Sequence, residues 1–534
     1  MTRFSSQQIP YAQTKAFSSI VTDYLAGAPG LKSFYAHQPG LDGIKDAIAF
    51  RKKFSTNRSV LVNQLKVQYA GIPAPEKVLA NIDLLLQENT FTITTAHQPN
   101  IFTGHLYFIY KILHAIKLAD ELTAQITGCN FVPVYYMGSE DADLEELGVV
   151  NIDGKKYLWQ TEQTGAVGRM KIDKAFITLM DAIEGRLLVE PFGKEILSLV
   201  RSVYSLNKTI EQATFELINE LFASYGLVVL LPDNAVLKNE FAPIIRKELL
   251  EQFSAAAVTE SMSGFPVEYK VQAAGRETNL FYLRDNIRER IEKVNGQWLI
   301  VNTDIKFDEQ SILRELQINP ERFSPNVILR PVFQELILPN IAFIGGGGEL
   351  AYWLELKKVF EAVAMPYPVL ILRNSFMLVN KKISQKLEAL KIPVTDFFKP
   401  THEVMNQLVK QLSDTQLQLT EEKKNLRDIY EKIKRVAAIA DPTLEQHTDA
   451  LLVKALKKIE QLEKKMLLAE KKKFEAQQRQ VEFIKTQLFP SGSLQERTDN
   501  MMSCYAAYGK AFIQNIYEHS QGLHQQFCIM EEKF

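Results

Sequence analysis

Apolar residues along this 534-residue chain recur with two periods, and the changes from one to the other outline its parts. Phe91 to Ala96 (FTITTA) is a short β-branched run that stops at the turn-forming AHQPN, the pattern of a buried strand meeting a loop. Beyond Gly104, the residues Leu106, Ile109, Leu113 and Ile116 repeat at helical spacing and predict one apolar helix face. Phe131 to Gly138 (FVPVYYMG) is a second apolar run, so strand, helix and strand predict a parallel unit with a right-handed crossover. Leu227 to Leu231, Ile341 to Ile344 and Pro368 to Arg373 predict further strands of the same sheet. Between them, FYLRDNIRERIEKVNGQWLIVN reads as antiparallel strands turning at Asp-Asn and Asn-Gly.

Past Pro400 the pattern changes. Leu408, Leu412, Leu419, Leu426, Ile429, Ile433 and Val436 alternate spacings of three and four with charges between them, which predicts one arm of a coiled coil. Asp441-Pro442-Thr443 interrupts it, and Leu452, Ile459, Leu462, Met466, Val481, Ile484 and Leu488 continue to Phe489-Pro490. The expected fold class is α/β, with a C-terminal antiparallel coiled-coil hairpin. The expected divisions are 1–150 and 216–400 for the two halves of a parallel-sheet core, the second holding the antiparallel insertion. A connecting insertion covers 151–215, the hairpin 401–489, and an aromatic segment, 490–534, packs back on the core.

Composition narrows the function classes. Lysine plus arginine, 62, balances aspartate plus glutamate, 63, so no overall field points to nucleic acid or a membrane, and any anion site is local. The polar N-terminus lacks a signal-like apolar stretch and no run approaches a membrane span, so the expected location is the cytoplasm. Cys129, Cys504 and Cys528 show no CxxC or zinc-type spacing, so neither a disulfide framework nor a bound metal is expected.

In open parallel sheets, ligands gather beyond the carboxyl ends of the strands, which directs attention to three loops. The first, AHQPNIFTGH, carries His97, Gln98, Asn100, Gly104 and His105 just before a helix whose N-terminal amides suit an anion, with the imidazoles as protonated donors. The same residues can instead cap the turn and satisfy backbone groups. The second, SEDADLEEL, sets Glu140, Asp141 and Asp143 where carboxylates can hold an ammonium group or take its proton; equally, Ser139 and the acids can form an ordinary helix start. The third, IGGGGELAYW, places Gly345, Gly346, Gly347, Gly348 and Glu349 between strand and helix, where bare backbone can approach a phosphate, ribose or carboxylate. Arg330 and Arg373 are each expected to follow an apolar strand and can grip a carboxylate at that rim or serve as structural ion-pair partners.

The segments TTAHQPNIFTGHLYFIYKILHAIKLA, FVPVYYMGSEDADLEEL, ILRPVFQELILPNIAFIGGGGELAYW and PVLILRNSF, with YGLVVLLPDN, NLFYLRDNIRERI and FPSGSLQER in the same order, closely resemble the cysteine-adding enzymes of bacillithiol synthesis, the BshC family. The resemblance covers nearly the whole chain. It implies a Rossmann-like core related to class I aminoacyl-tRNA synthetases, a coiled coil used for homodimerisation, and a ligase joining the carboxyl group of cysteine to the amino group of glucosaminyl malate. Under that reading Glu140 and Asp141 bind or deprotonate the amine, and His97 and His105 stabilise an anionic phosphate or oxyanion. Arg330 or Arg373 then holds the malate carboxylates. Phe102 stands where the first histidine of the synthetase HxGH signature belongs, and no lysine loop of KMSKS type is present. The cofactor therefore stays unassigned, with ATP as the candidate. The alternatives are a nucleotidyltransferase acting on a small phosphorylated substrate and a non-catalytic synthetase-like scaffold.

Overall fold

The computed structural model describes residues 4–272 and 275–533. Continuous apolar runs become strands buried on both faces: Thr90–His97 (β1), Asn130–Met137 (β2), Val228–Leu230 (β3), Asn340–Gly345 (β4) and Val369–Leu372 (β5). They form one parallel sheet in the order β5-β4-β1-β2-β3. The chain runs from β1 outward through β2 to β3, then places β4 against the other side of β1. The order therefore reverses between β1 and β4, and their carboxyl ends diverge into a crevice.

Threonines of β1 would be costly in such an interior without partners. Thr92 and Thr94 donate to Asn340 Oδ1 of β4 at 3.1 and 2.8 Å, and Thr95 donates to the Ile344 carbonyl at 2.9 Å. Side-chain bonds thus tie together the two strands that flank the crevice. The crossover from β1 to β2 is the expected helix, Tyr107–Gln125 (α1), buried along most of its length. Ala235–Glu251 (α2) follows β3, with the Asn234 side chain accepting from the Leu237 amide at 2.9 Å as its cap.

The antiparallel insertion forms where the turn signals placed it, with strands at Leu280–Arg284, Ile287–Val294 and Gln297–Ile300. The apolar run before Arg330 is not a strand. Asn326 Oδ1 accepts from the amides of Ile328 and Leu329 at 2.9 and 3.4 Å, which turns the chain directly into a helix, Arg330–Ile337 (α3). Pro331 fits there because the first helical turn has no intrahelical use for its missing N–H. Gly347–Leu354 (α4) starts just after β4. Phe4–Pro10 pairs antiparallel with Gln526–Glu532, so the two ends of the chain meet in one small sheet.

The chain divides into two compact units, one reaching to Leu378 and resuming with Ser493–Lys533, the other Val379–Gly492. The second unit is helical: Thr401–Leu412 (α5), Thr420–Ala440 (α6), Leu444–Lys471 (α7) and Glu475–Leu488 (α8). α6 and α7 run antiparallel, linked by Lys423–Glu463 at 2.9 Å and Lys434–Asp449 at 2.8 Å. At the turn between them Asp441 Oδ1 accepts from the Thr443 amide at 2.8 Å. The first arm, expected to be continuous, breaks after Leu412. Ser413 and Thr415 give their hydroxyls to Glu470 at 2.9 and 3.4 Å, and such side chains compete with helical backbone bonds. Among the described residues no helix is long and apolar enough to cross a membrane.

Candidate active site at the strand-order reversal

The crevice beyond β1, β2 and β4 holds a cavity of about 360 Å³, a volume suited to a small organic ligand. Each strand contributes through the loop that leaves it: Gln98 from β1, Gly138, Glu140 and Asp141 from β2, and Gly346 to Glu349 from β4.

The β2 loop supplies an acidic wall. Glu140 lines the cavity but is only 7 % exposed, and its Oε1 is bonded to the ammonium of Lys238, the 0 % exposed residue in the first turns of α2. Lys238 also donates to Asp233 Oδ1 at 3.0 Å and to the Glu321 carbonyl at 2.9 Å. Asp233 in turn receives a two-point bond from Arg169 at 2.7 and 2.8 Å. Burial pushes the Glu140 carboxyl above the usual carboxylate range although Lys238 pulls the other way. Asp233, despite burial, is held down to about 2 by Lys238 and Arg169. Asp141, beside Glu140, accepts from Gln98 Nε2 at 3.2 Å and lies 3.7 Å from Arg288 of the antiparallel insertion. Arg288 stacks on Phe281 at 4.0 Å, and its buried Nε has no hydrogen-bond partner among the described residues.

The β4 loop supplies the opposite kind of wall. Gly346, Gly347 and Gly348 line the cavity where α4 begins, and the amides of Gly347 and Gly348, in its first turn, have no intrahelical acceptor. Glu349 is turned back on this end: it accepts from the Gly346 amide at 2.8 Å and from Lys111 at 2.6 Å. Gly345 stands behind the rim, where a Cβ would meet the Phe343 ring at 2.8 Å.

The two arginines expected at this rim have different environments. Arg373 is buried, donating to Glu496 at 2.7 Å, Ser375 Oγ at 3.0 Å and the Asn374 carbonyl at 3.0 Å. Arg330 also lines the cavity, yet it donates to neutral groups: Tyr352 at 2.8 Å and Gln334 at 3.2 Å.

The β1 loop divides. His97 and Gln98 line the cavity, whereas Asn100, Gly104 and His105 do not. Phe102, Thr103 and Gly104 all take positive φ (51, 72 and 63°), a turn that sends Phe102 into an aromatic cluster with Phe176 and Tyr204. Asn500 holds the turn through the carbonyls of Phe102, at 2.8 Å, and Gly104. Burial, with Lys111 adding to it, pushes His97 well below its ordinary value, and burial lowers His105 too, so both imidazoles are neutral near pH 7 rather than the protonated donors expected. Asp143, not Ser139, caps the following turn, accepting from the Glu146 amide at 3.1 Å, and it stays outside the cavity lining.

Sequence reasoning passed over Lys238, Asp233, Arg169 and Arg288. The loop after the strand at Leu227 to Leu231 ends in Pro-Asp-Asn, and searching it as the other strand ends were searched brings up Asp233. Nothing local marks Arg169 or Arg288, which arrive from the insertions.

Residues 4–374 match the family described as bacillithiol biosynthesis BshC, N-terminal Rossmann-like domain, and residues 376–532 match the BshC C-terminal coiled-coil domain. A protein of Flavobacterium johnsoniae is 39% identical over 524 residues, 98% of this chain and 99% of that protein. One of Bacillus cereus is 26% identical over 521 residues, 94% of this chain and 96% of that protein. Both carry the provisional name cysteine ligase BshC. A solved structure from Campylobacter jejuni, provisionally described as an arginyl-tRNA synthetase, aligns at 13% identity and a TM-score of 0.21, covering 80% of this chain and 99% of that one, and carries no weight at that score.

Proposed function

The chain belongs to the BshC family of bacillithiol biosynthesis and is a cysteine ligase, and on that premise we propose that the cavity at the strand-order reversal joins the carboxyl group of cysteine to the amino group of glucosaminyl malate. One observation carries the reading. A single cavity sets carboxylates that suit an ammonium group opposite bare amides and guanidinium groups that suit anions.

Glu140 and Asp141 hold the amine and take its proton before it attacks. Arg330, bonded only to neutral groups, and Arg288, 3.7 Å from Asp141, receive the two malate carboxylates. Arg373, already engaged by Glu496, orients the rim beside them. The amides of Gly347 and Gly348, with neutral His97, face the carboxyl group that must be activated and the anionic part of an activating cosubstrate, for which ATP is the candidate. Asn100, Gly104 and His105 shape the β1 loop, Asp143 the β2 loop and Gly345 the β4 loop. The helical unit serves homodimerisation, a reading supported by exposed Ile433, Val436 and Ile439 on α6 and Leu451, Val453 and Leu462 on α7. The absence of any membrane-crossing helix among the described residues fits a cytoplasmic location.

The test is incubation of the purified protein with cysteine and glucosaminyl malate, with and without ATP, and detection of bacillithiol by mass spectrometry. Product only with ATP supports the ligase and its nucleotide, and product without it points to another activating donor. No product in either case, nor after addition of a bacterial lysate, overturns the reading.

A further inference from the structure

Three segments far apart in the chain converge behind Glu140: Arg169 from the insertion, Asp233 and Lys238 from the loop after β3 and the start of α2, and the Glu321 carbonyl. Two cations and two carboxylates alternate there, from Arg169 through Asp233 and Lys238 to Glu140, and Glu140 alone of them lines the cavity. Lys238 is 0 % exposed, so it cannot touch a ligand in the cavity, and all three of its ammonium protons are spoken for. Glu140 uses Oε1 for this bond, while Oε2 has no hydrogen-bond partner among the described residues.

We propose that Lys238 is a positioning residue for amide formation: it fixes Oε1 of Glu140 and keeps the carboxylate ionised, leaving Oε2 to accept the proton of the substrate ammonium group. This inference rests on the reading of Glu140 as the proton acceptor. In the step, one N–H bond of the ammonium breaks and one O–H bond forms on Glu140, giving the neutral amine. Its lone pair forms the C–N bond at the cysteine carbonyl carbon, activated as a mixed anhydride with a phosphate of the activating cosubstrate, while the C–O bond to that phosphate breaks and the phosphate leaves with the second nitrogen proton. Buried carboxylates without a fixed cation protonate instead of remaining anionic, so the network decides whether Glu140 can act near pH 7.

The charged and titratable groups around Glu140 are Lys238, Asp233, Arg169, Arg288, Glu211 and Tyr136, beside its neighbour Asp141. Two of them move Glu140 in opposite senses, Lys238 favouring its ionised form and Asp233 opposing it. The experiment is the pH profile of kcat for the full-length enzyme and three variants. Lys238→Met moves the acid limb up by about one unit and lowers kcat near pH 7 by up to about 10-fold. Lys238→Arg restores the limb to its wild-type place, and Asp233→Asn moves it down. A limb that stays fixed in both Lys238→Met and Asp233→Asn overturns the proposal. Should Lys238→Met fail to fold, the Asp233→Asn limb decides. Glu140→Gln separates the two readings: wild-type kcat in that variant removes Glu140 as proton acceptor altogether, whereas lost kcat with fixed limbs removes only the role of Lys238.

Discussion

The two walls of the cavity are built on opposite principles. The wall after β2 is made of charge that the interior has already paired: Glu140 is locked to Lys238, which is locked to Asp233, which is locked to Arg169. The wall after β4 is made of backbone left bare at Gly347 and Gly348, with Arg330 bonded to neutral groups beside it. A network of buried ions fixes geometry and protonation but leaves little binding capacity, because its charges neutralise one another. Open amides and a guanidinium without a carboxylate partner do the reverse. The acidic wall is accordingly suited to the chemical step and the glycine wall to holding substrate.

The sharpest way to break this division is Glu140→Gln, expected to lower kcat by about 100- to 10,000-fold with KM changed far less. Steady-state kinetics check it, and a change confined to KM would reverse the assignment of the two walls. Next in size is Arg330→Met, expected to raise KM for glucosaminyl malate about 10- to 100-fold with a smaller change in kcat, since a charged hydrogen bond contributes roughly 1.5–3 kcal/mol. A glucosamine derivative lacking the malate carboxylates should show no such difference between wild type and variant.

A pair of glycines sharpens the comparison further. A Cβ on Gly348 meets nothing within 4 Å, so Gly348→Ala should leave the melting temperature nearly unchanged while raising KM about tenfold through the methyl group added to the cavity wall. Gly104 sits at φ 63°, where a Cβ would lie 2.8 Å from that of Asn100, so Gly104→Ala should destabilise the fold by about 1–3 kcal/mol with KM little altered. Thermal melts and kinetics on both variants decide between them.

The smallest expected effect concerns the ground beneath the acidic wall. Burial, with Asp233 and Glu140 nearby, pushes the Glu211 carboxyl up to about 7. The folded state therefore keeps this proton where the unfolded chain has released it. The stabilisation is fully present below the unfolded value and is lost as pH rises through about 7. Glu211→Gln should lose melting temperature less steeply than wild type between pH 5 and 8.

How far the sequence reached depends on the range of the interactions. The five core strands were readable because each is a continuous apolar run ended by turn residues, and the helix after Gly104 because its apolar face repeats. The run before Arg330 misled because a cap from Asn326 outweighs strand propensity in four residues. The first arm of the hairpin broke at Ser413 because Glu470, on the other arm, offered its hydroxyl a partner. In the β1 loop, His97 and Gln98 came to the cavity, but Asn500, 398 positions from Phe102, turned Gly104 and His105 aside.

Spacing and turn residues alone placed the five core strands, the crossover helix and the loops that emerge at the carboxyl ends of the sheet, because periodicity and turn chemistry act over a few residues. Packing in three dimensions set the pairing of charges: Arg373 is engaged by Glu496 while Arg330 is left to neutral partners, and Glu140 is held by Lys238, 98 positions later. Charge pairing depends on separation in space and on exclusion of water, and neither is written in the spacing of residues along a chain.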